Sequence, residues 1–367
     1  MQVVVLAGGR GRRLHPLTGR RPKPMLPVLG RPLLGQLLAH LGRQPIVDEI
    51  IVATGYLGDV IDAYIDGHVG DLDLPVPVRA VREPAPRGTA GAVAALLPAL
   101  RAPFAVVSAG MVTDLDLAAM AEAHARLRAV ATICVMPPSA RTRFGLVEAP
   151  AGRVTTFLER STLQRLQPSA LVNGGSYILE PRALDRWGSG AVLDFDHDVL
   201  PRLVEEGQVV GTASAARFWM DVGTADGYRN AHFDALAGRW PWPVPASDEP
   251  VLVSSPIDVT GPVHFGRNVV IGPHVRLVGP LSIGSDVMIG PDAEVTRSVL
   301  LDGSSIGAGS WVHEAVIDEG MVLPRASAAA GGVVGYAAGP EAVLVRSAGA
   351  SGELVGASGR VPAGRRP

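Results

Sequence analysis

Between Val253 and Leu301 an apolar residue returns at every sixth position: Val253, Val259, Phe265, Ile271, Leu277, Ile283, Ile289, Val295 and Leu301. Glycine directly follows four of them, at Gly266, Gly272, Gly284 and Gly290. Strands repeat at 2 residues and helices at 3.6, and neither sustains a strict six over such a length. A coil that stacks its apolar residue on that of the turn below does, so the period predicts a left-handed β-helix of hexapeptide repeats over residues 251–326. The register slips by one residue at Ile306-Gly307 and Val312. The pattern specifies an architecture and says little about an activity.

The whole chain has 367 residues, enough for about two to three domains. Its 33 Lys+Arg against 35 Asp+Glu give a net charge of −2, which excludes a polybasic nucleic-acid or membrane-surface protein. With 44 Gly and 31 Pro the chain is rich in turns. Its single cysteine, Cys134, rules out an internal disulfide and any multi-cysteine zinc site, and its place in an apolar strand makes it core. The apolar run Ala92–Leu100 is too short to span a bilayer and contains Pro98. Met1 leads straight into Val3–Leu6 without a basic leader, and a cytoplasmic protein is expected.

Residues 1–236 alternate β-branched runs (Val3–Leu6, Glu49–Ala53, Val76–Val81, Phe104–Val107, Val130–Val135) with helical patterns near Pro32–Leu41, Leu57–Tyr64, Ala90–Leu100 and Leu117–Leu127. This rhythm predicts an α/β, Rossmann-like, mostly parallel sheet with helices on both faces. In such sheets ligands bind beyond the carboxyl ends of the strands. Closer-spaced strands follow at Phe144–Glu148, Arg153–Phe157 and Leu171–Leu179 and suggest a more antiparallel lobe. The Trp- and Pro-rich stretch from Arg239 to Pro245 marks a linker over 237–250, ahead of the repeats. Residues 327–367 are Ala, Gly, Ser and Val with few large side chains and read as a low-complexity tail, with docking on the β-helix left open.

The most chemically informative segment runs Leu6-Ala7-Gly8-Gly9-Arg10-Gly11-Arg12-Arg13, continuing to Pro22-Lys23-Pro24-Met25. Three glycines in four positions after a first strand let the backbone approach a ligand, and consecutive N–H groups can cradle phosphate oxygens. Arg13 and Lys23 supply the cations a triphosphate needs. No Gly-Lys-Ser/Thr follows, so this is not a Walker A loop, and Arg13 stands where a dinucleotide fingerprint needs its third glycine. A purely structural turn is the competing reading. Two prolines around Lys23 favour a preorganised charge.

This opening resembles that of the sugar-1-phosphate nucleotidyltransferases (nucleotide-sugar pyrophosphorylases), closest to the mannose-1-phosphate guanylyltransferase type. The resemblance continues in order over about residues 1–232, through Arg87-Gly88-Thr89-Ala90-Gly91, Phe144-Gly145-Leu146-Val147-Glu148, Phe157-Leu158-Glu159, Asn173-Gly174-Gly175 and Phe218-Trp219-Met220-Asp221-Val222-Gly223-Thr224. A hexapeptide β-helix behind the catalytic domain is also common in that family. The resemblance implies transfer of a nucleotidyl group from a nucleoside triphosphate to a sugar 1-phosphate, releasing pyrophosphate. It implies Arg13 and Lys23 as catalytic cations, and nucleotide binding by Leu6, Ala7, Gly8, Gly9, Gly11, Arg12, Gly88 and Thr89. Gly145, Glu159, Arg160, Asn173 and Gly174 would line a sugar site, and Asp221 would hold Mg²⁺. The Gly88-Thr89-Ala90 pattern leans towards GTP. The β-helix implies a homo-oligomer.

One departure from the family pattern matters. After Phe104–Val107 the family reads Asn-Gly-Asp, its Asp a metal ligand; here stand Ser108-Ala109-Gly110, and glycine offers a hard cation no side chain. Asp114 and Asp116 lie nearby, but Thr113-x-x-Asp116 reads as helix capping. Arg12 replaces the family's Thr, and Arg160 its Lys. Two functions therefore compete: an active transferase, and a non-catalytic relative that binds nucleotide or nucleotide-sugar and regulates a partner. Asp194, Asp196 and Asp198 read as opening and capping the helix that follows, and His15, His197 and His274 show no metal-ligand spacing.

Overall fold

A computed structural model describes residues 1–137, 145–158, 171–188, 190–244 and 251–336, with the backbone of Ala342–Val345. Glu159, Arg160 and the end of the tail lie outside the described residues. The contacts divide the chain into two compact units: Met1–Gly9 with Leu33–Trp219, and Arg10–Pro32 with Met220 onward.

The first unit is built on a nine-stranded sheet. Its strands are β1 (Gln2–Leu6), β2 (Glu49–Thr54), β3 (Val78–Arg82), β4 (Phe104–Ser108), β5 (Ala131–Met136), β6 (Leu146–Glu148), β7 (Thr156–Leu158), β8 (Leu171–Leu179) and β9 (Val210–Ala213). The order is β7-β6-β8-β4-β1-β2-β3, with β5 paired to β8 and β9. The pairs β1–β2, β1–β4, β2–β3 and β5–β9 are parallel. Those made by β8, and β6–β7, are antiparallel, as the closer strand spacing predicts, but they extend the same sheet through β8–β4 and do not form a separate lobe. The parallel strands are unbroken apolar runs because both faces are covered: Val3, Val4, Val5, Ile50, Ile51 and Val52 are all fully buried.

The helices are α1 (Leu33–Gly42), α2 (Gly58–His68), α3 (Gly88–Ala94), α4 (Leu117–Leu127), α5 (Leu200–Glu205) and, in the second unit, α6 (Ala225–Leu236). Helix α1 buries Leu33, Leu34, Leu37, Leu38 and Leu41, the 3–4 spacing of one helical face. The helical pattern at Ala90–Leu100 does not run through. It stops at Ala94, and Leu97–Ala99 forms a separate 3-10 turn, because Pro98 removes a donor the helix would need.

In the second unit the repeats form a three-sided β-helix of parallel strands, consistent with the left-handed hexapeptide type. Val251 pairs with Val269, Val259 with Leu277 and Val263 with Leu281, so one coil spans three hexapeptides. From Ser282↔Val299 and Met288↔Ser305 onward each coil is one residue shorter, so the slip falls one step earlier than the sequence period places it: Leu300, not Leu301, stacks on Ile283. Ile271, Leu277, Ile283, Ile289 and Val295 stack inside and are buried. Val253 and Val259 obey the period yet stay exposed, since they lie on the first described coil and none among the described residues precedes it to cover them. Regular strands continue through Ala328–Ala330 and Val333–Tyr336, and Ala342–Val345 folds back antiparallel on the latter. Trp240 and Trp242 are buried edge-to-face against each other at 5.5 Å.

Candidate functional site

In the first unit, the glycine turn lies at the carboxyl ends of three parallel strands. After β1, Ala7 N donates to Ala53 O at 2.9 Å, and Tyr56 N donates to Gly8 O at 3.1 Å. The turns after β1 and β2 thus touch through their backbones. A Cβ on Gly55 would lie 3.0 Å from Gly8 O, and one on Gly8 would lie 2.7 Å from Glu83 Oε1. Glu83 follows β3 directly and is tied down by its own N–H to Thr54 O at 2.8 Å. Burial pushes its carboxyl pKa up, with Arg87 opposing. A Cβ on Gly9 would meet nothing within 4 Å, so the space beside this residue is open. Leu6 is half-buried and Ala7 buried, so each offers a ligand mainly its backbone.

Gly88 and Thr89 open α3 and grip a distant segment. Gly88 has φ +73°, and a Cβ there would sit 2.4 Å from Leu193 O. Ala90 N and Gly91 N donate to that same carbonyl at 2.9 and 3.1 Å. Thr89 Oγ1 donates to Asp194 Oδ1 at 2.7 Å and accepts from Phe195 N at 3.0 Å. The glycines therefore allow a close approach of backbone to helix start, filling donors that would otherwise be unpaired.

Asn173 is buried and almost fully engaged. Its Nδ2 donates to Asp196 Oδ1 at 2.6 Å and to Tyr177 Oη at 3.1 Å, and its Oδ1 accepts from Gly175 N at 2.9 Å. Tyr177 Oη donates to the same Asp196 oxygen at 3.1 Å. Burial raises the pKa of Asp196. Strand β8 shifts register between Asn173 and Tyr177, where Gly175 takes φ +66°. Such a bulge re-aims side chains. The backbone N of Asn173 donates to Gly145 O at 2.9 Å, and a Cβ on Gly145 would meet nothing within 4 Å. Gly174 has no such room: a Cβ would lie 2.8 Å from Cys134 O, and Trp219 Nε1 donates to Gly174 O at 2.9 Å. Cys134 is buried and its thiol pKa is pushed up to about 11, in keeping with a core role.

Asp194 and Asp196 thus do more than open a helix. One holds Thr89 and the other holds Asn173, while Asp198 accepts from Asp194 N at 2.7 Å. Their partners lie on other elements, which a local capping pattern could not reveal. Glu83 was equally hidden, although its position right after a parallel strand matches that of Gly8.

Gly110 is buried, and its N–H donates to Ser108 Oγ at 3.3 Å. Neither neighbouring carboxylate is spare. Asp116 caps α4 by accepting from Ala119 N at 3.0 Å, as its position predicts. Asp114 Oδ1 accepts from Arg217 N and Phe218 N, both at 2.8 Å.

In the second unit, Gly11 turns the chain in the left-handed region (φ +60°), and a Cβ there would press on Thr18 Cγ2 at 3.1 Å and Lys23 Cβ at 3.2 Å. Thr18 Oγ1 and Leu14 N both donate to Gly11 O. Arg13 follows on a single 3-10 turn, and Arg12 beside it is exposed. Pro22 and Pro24 bracket Lys23 at the start of another such turn. Lys23 Nζ lies 3.1 Å from Asp221 Oδ1, and Arg13 Nη2 lies 3.5 Å from Asp221 Oδ2. Gly223 allows this, since a Cβ there would lie 2.7 Å from Arg13 Nη2 and 2.8 Å from both Asp221 oxygens. Burial lowers the Lys23 pKa, the attraction of Asp221 opposing it. Two cations and one carboxylate leave a positive cluster for a polyanion.

Asp221 is the carboxylate the resemblance assigns to Mg²⁺. Its two oxygens are each paired with a cation, and no group of three His, Cys, Asp or Glu suited to a metal occurs among the described residues. These residues do not by themselves build a resident cation site.

Residues 2–238 match the nucleotidyl transferase family. The chain is 31% identical to the mannose-1-phosphate guanylyltransferase of Mycobacterium tuberculosis, over 75% of this chain and 78% of that one. It is 26% identical to the UTP–glucose-1-phosphate uridylyltransferase of Synechocystis, over 86% and 87%. A crystal structure of HddC from Yersinia pseudotuberculosis complexed with GMP-PN superposes with a TM-score of 0.53 at 26% identity, covering 64% of this chain and 99% of that one.

Proposed function

This chain belongs to the nucleotidyl transferase family, and from that premise we propose that it transfers a nucleotidyl group from a nucleoside triphosphate to a sugar 1-phosphate, releasing pyrophosphate. The observation that carries this reading is the Arg13–Asp221–Lys23 cluster, with Lys23 partly desolvated and aimed by two prolines. Such transfer needs positioning and charge neutralisation more than covalent help. A phosphate oxygen of the sugar 1-phosphate attacks the α-phosphorus, the bond from that phosphorus to the bridging oxygen breaks, and pyrophosphate leaves. Arg13 and Lys23 neutralise the charge that builds on the phosphoryl oxygens, and Asp221 keeps both cations in place. Backbone N–H groups around Gly8, Gly9 and Gly11 serve the phosphates. Asp221 is already paired with both cations and Gly110 has no side chain, so the described residues do not fit a resident Mg²⁺.

Relatives with the same reaction use different bases, so the base has to be read from the site. Glu83 favours guanine. A carboxylate accepts from two adjacent donors, the pattern of guanine N1–H and N2–H₂, which neither adenine nor uracil presents. On this reading GTP is the donor, Gly88 and Thr89 shape the base side, and Gly145, Asn173 and Gly174 shape the sugar side. The second reading, a nucleotide-binding relative without catalysis, is favoured by Gly110 alone. A pyrophosphate-release assay with four nucleoside triphosphates and a panel of sugar 1-phosphates separates them. Product with GTP is expected; nucleotide binding without product from any pair would overturn the transferase reading.

We assign self-association to one face of the β-helix. Leu252, Val270, Met288 and Val322 align across strands on its outer surface, each exposed, with Ser305 among them. Such a ladder of apolar groups is unusual on a monomer's surface and suits a second copy.

A further inference from the structure

We propose that Asp318, on the β-helix, is a positioning residue for the loop that carries Arg13 and Lys23. The proposal rests on the phosphate-binding role given to those two cations above.

The loop Arg10–Pro32 clusters with the β-helix and α6, and several contacts tie it there. Gly335 lies between the loop and Asp318: a Cβ on it would fall 2.7 Å from Pro16 Cγ and 2.9 Å from Asp318 Oδ2. The backbone at Gly335 is in an ordinary conformation, so glycine serves here as space. It lets Pro16 and the carboxylate close on the same strand. Arg21 forms an ion pair with Glu319, the residue after Asp318. The Arg20 guanidinium sits 5.8 Å from the Tyr336 ring centroid. Further along the loop, Pro27 O accepts from Tyr228 Oη of α6, and α6 in turn is tied to the β-helix by Arg229 donating to Glu314 O.

The exposed pair Arg21–Glu319 is weak on its own. Asp318 is the informative member. It is half-buried, and the charged or titratable groups facing it are His15, Arg20 and Arg21 from the loop and Tyr228 from α6, while the Glu319 backbone N–H donates to its Oδ1 at 2.8 Å. Burial lifts its pKa to about 6 despite those arginines. A carboxyl whose folded pKa exceeds its unfolded value costs stability as pH rises through that interval, a cost that is complete at pH 8. An asparagine would avoid it. A carboxylate kept at a cost to stability, opposite the arginines of a phosphate-binding loop, points to function.

The test uses the full chain with Asp318→Asn and, independently, Gly335→Ala. Three quantities are read at pH 8: steady-state kinetics, Tm, and hydrogen–deuterium exchange of residues 12–23. The expectation is a roughly tenfold or larger loss in kcat/KM for the triphosphate in both variants, with faster exchange in the loop. Asp318→Asn should also keep or raise Tm, which loss of a merely structural contact would not do. Unchanged kinetics and exchange, or activity that falls only in step with Tm, would overturn the proposal. Should the wild type transfer nothing, the exchange arm still decides whether Asp318 holds the loop, so the two failures are distinguishable.

Discussion

Lys23 Nζ lies 3.1 Å from Asp221 Oδ1 across 198 residues of chain. A pair so distant in sequence and so placed in space brings a proline-bracketed ammonium to the carboxylate that leads into α6. Arg13 completes the cluster at 3.5 Å on the other oxygen.

Lys23 should give the reaction an early alkaline limit. Burial holds its pKa below the ordinary lysine value, and the protonated form is the one that neutralises phosphate. Activity is therefore full below the lowered pKa and is lost as pH rises through it. The alkaline limb of kcat/KM should start below pH 10.5, and Lys23→Arg should move it upward. Lys23→Met should lower kcat/KM by about 10²–10³-fold, as loss of a charge-stabilising donor does.

Glu83→Gln tests base choice. Glutamine offers one acceptor and one donor where the carboxylate offers two acceptors, leaving one guanine N–H facing another donor. A hydrogen bond to a charged group is worth about 1.5–3 kcal/mol, so kcat/KM for GTP should fall about 10–100-fold relative to UTP. Competition kinetics with the two triphosphates give the ratio directly; an unchanged ratio would remove Glu83 from base recognition.

Two glycines of the nucleotide side should behave oppositely on substitution. Gly88→Ala places a Cβ 2.4 Å from Leu193 O at positive φ and should cost about 1–3 kcal/mol, seen as a lowered Tm. Gly9→Ala meets no protein atom within 4 Å. It should leave Tm within about a degree of wild type, since surface changes stay within about ±0.5 kcal/mol, and yet raise KM for the triphosphate.

Asp196→Ala strips one acceptor from both Asn173 Nδ2 and Tyr177 Oη in a buried network. Unpaired buried polar groups cost about 1–3 kcal/mol. Denaturant unfolding should show that loss. Kinetics should show a raised KM for the sugar 1-phosphate with little change in KM for the triphosphate.

Met288→Glu puts a charge in the middle of the apolar ladder on the β-helix. Light scattering after size exclusion should report a shift to smaller species; an unchanged mass would exclude this face from self-association.

The sequence by itself determined the elements. A six-residue period is written into neighbouring residues, so the β-helix could be read directly and its one-residue slip to within one step. The apolar runs of β1, β2 and β4 likewise announced a parallel sheet, and Gly8, Gly9 and Gly11 announced a turn after its first strand. Tertiary structure decided the partnerships. Asp194 and Asp196 look like helix openers until the fold carries them to Thr89 and Asn173. Glu83 looks like any exposed glutamate until β3 lays it against Gly8. Gly335 reads as part of a low-complexity tail until Pro16 and Asp318 are found to need its emptiness. Local periodicity reflects what each residue does with its sequence neighbours, whereas ion pairs, desolvation and close approach depend on atoms that only chain crossovers bring together.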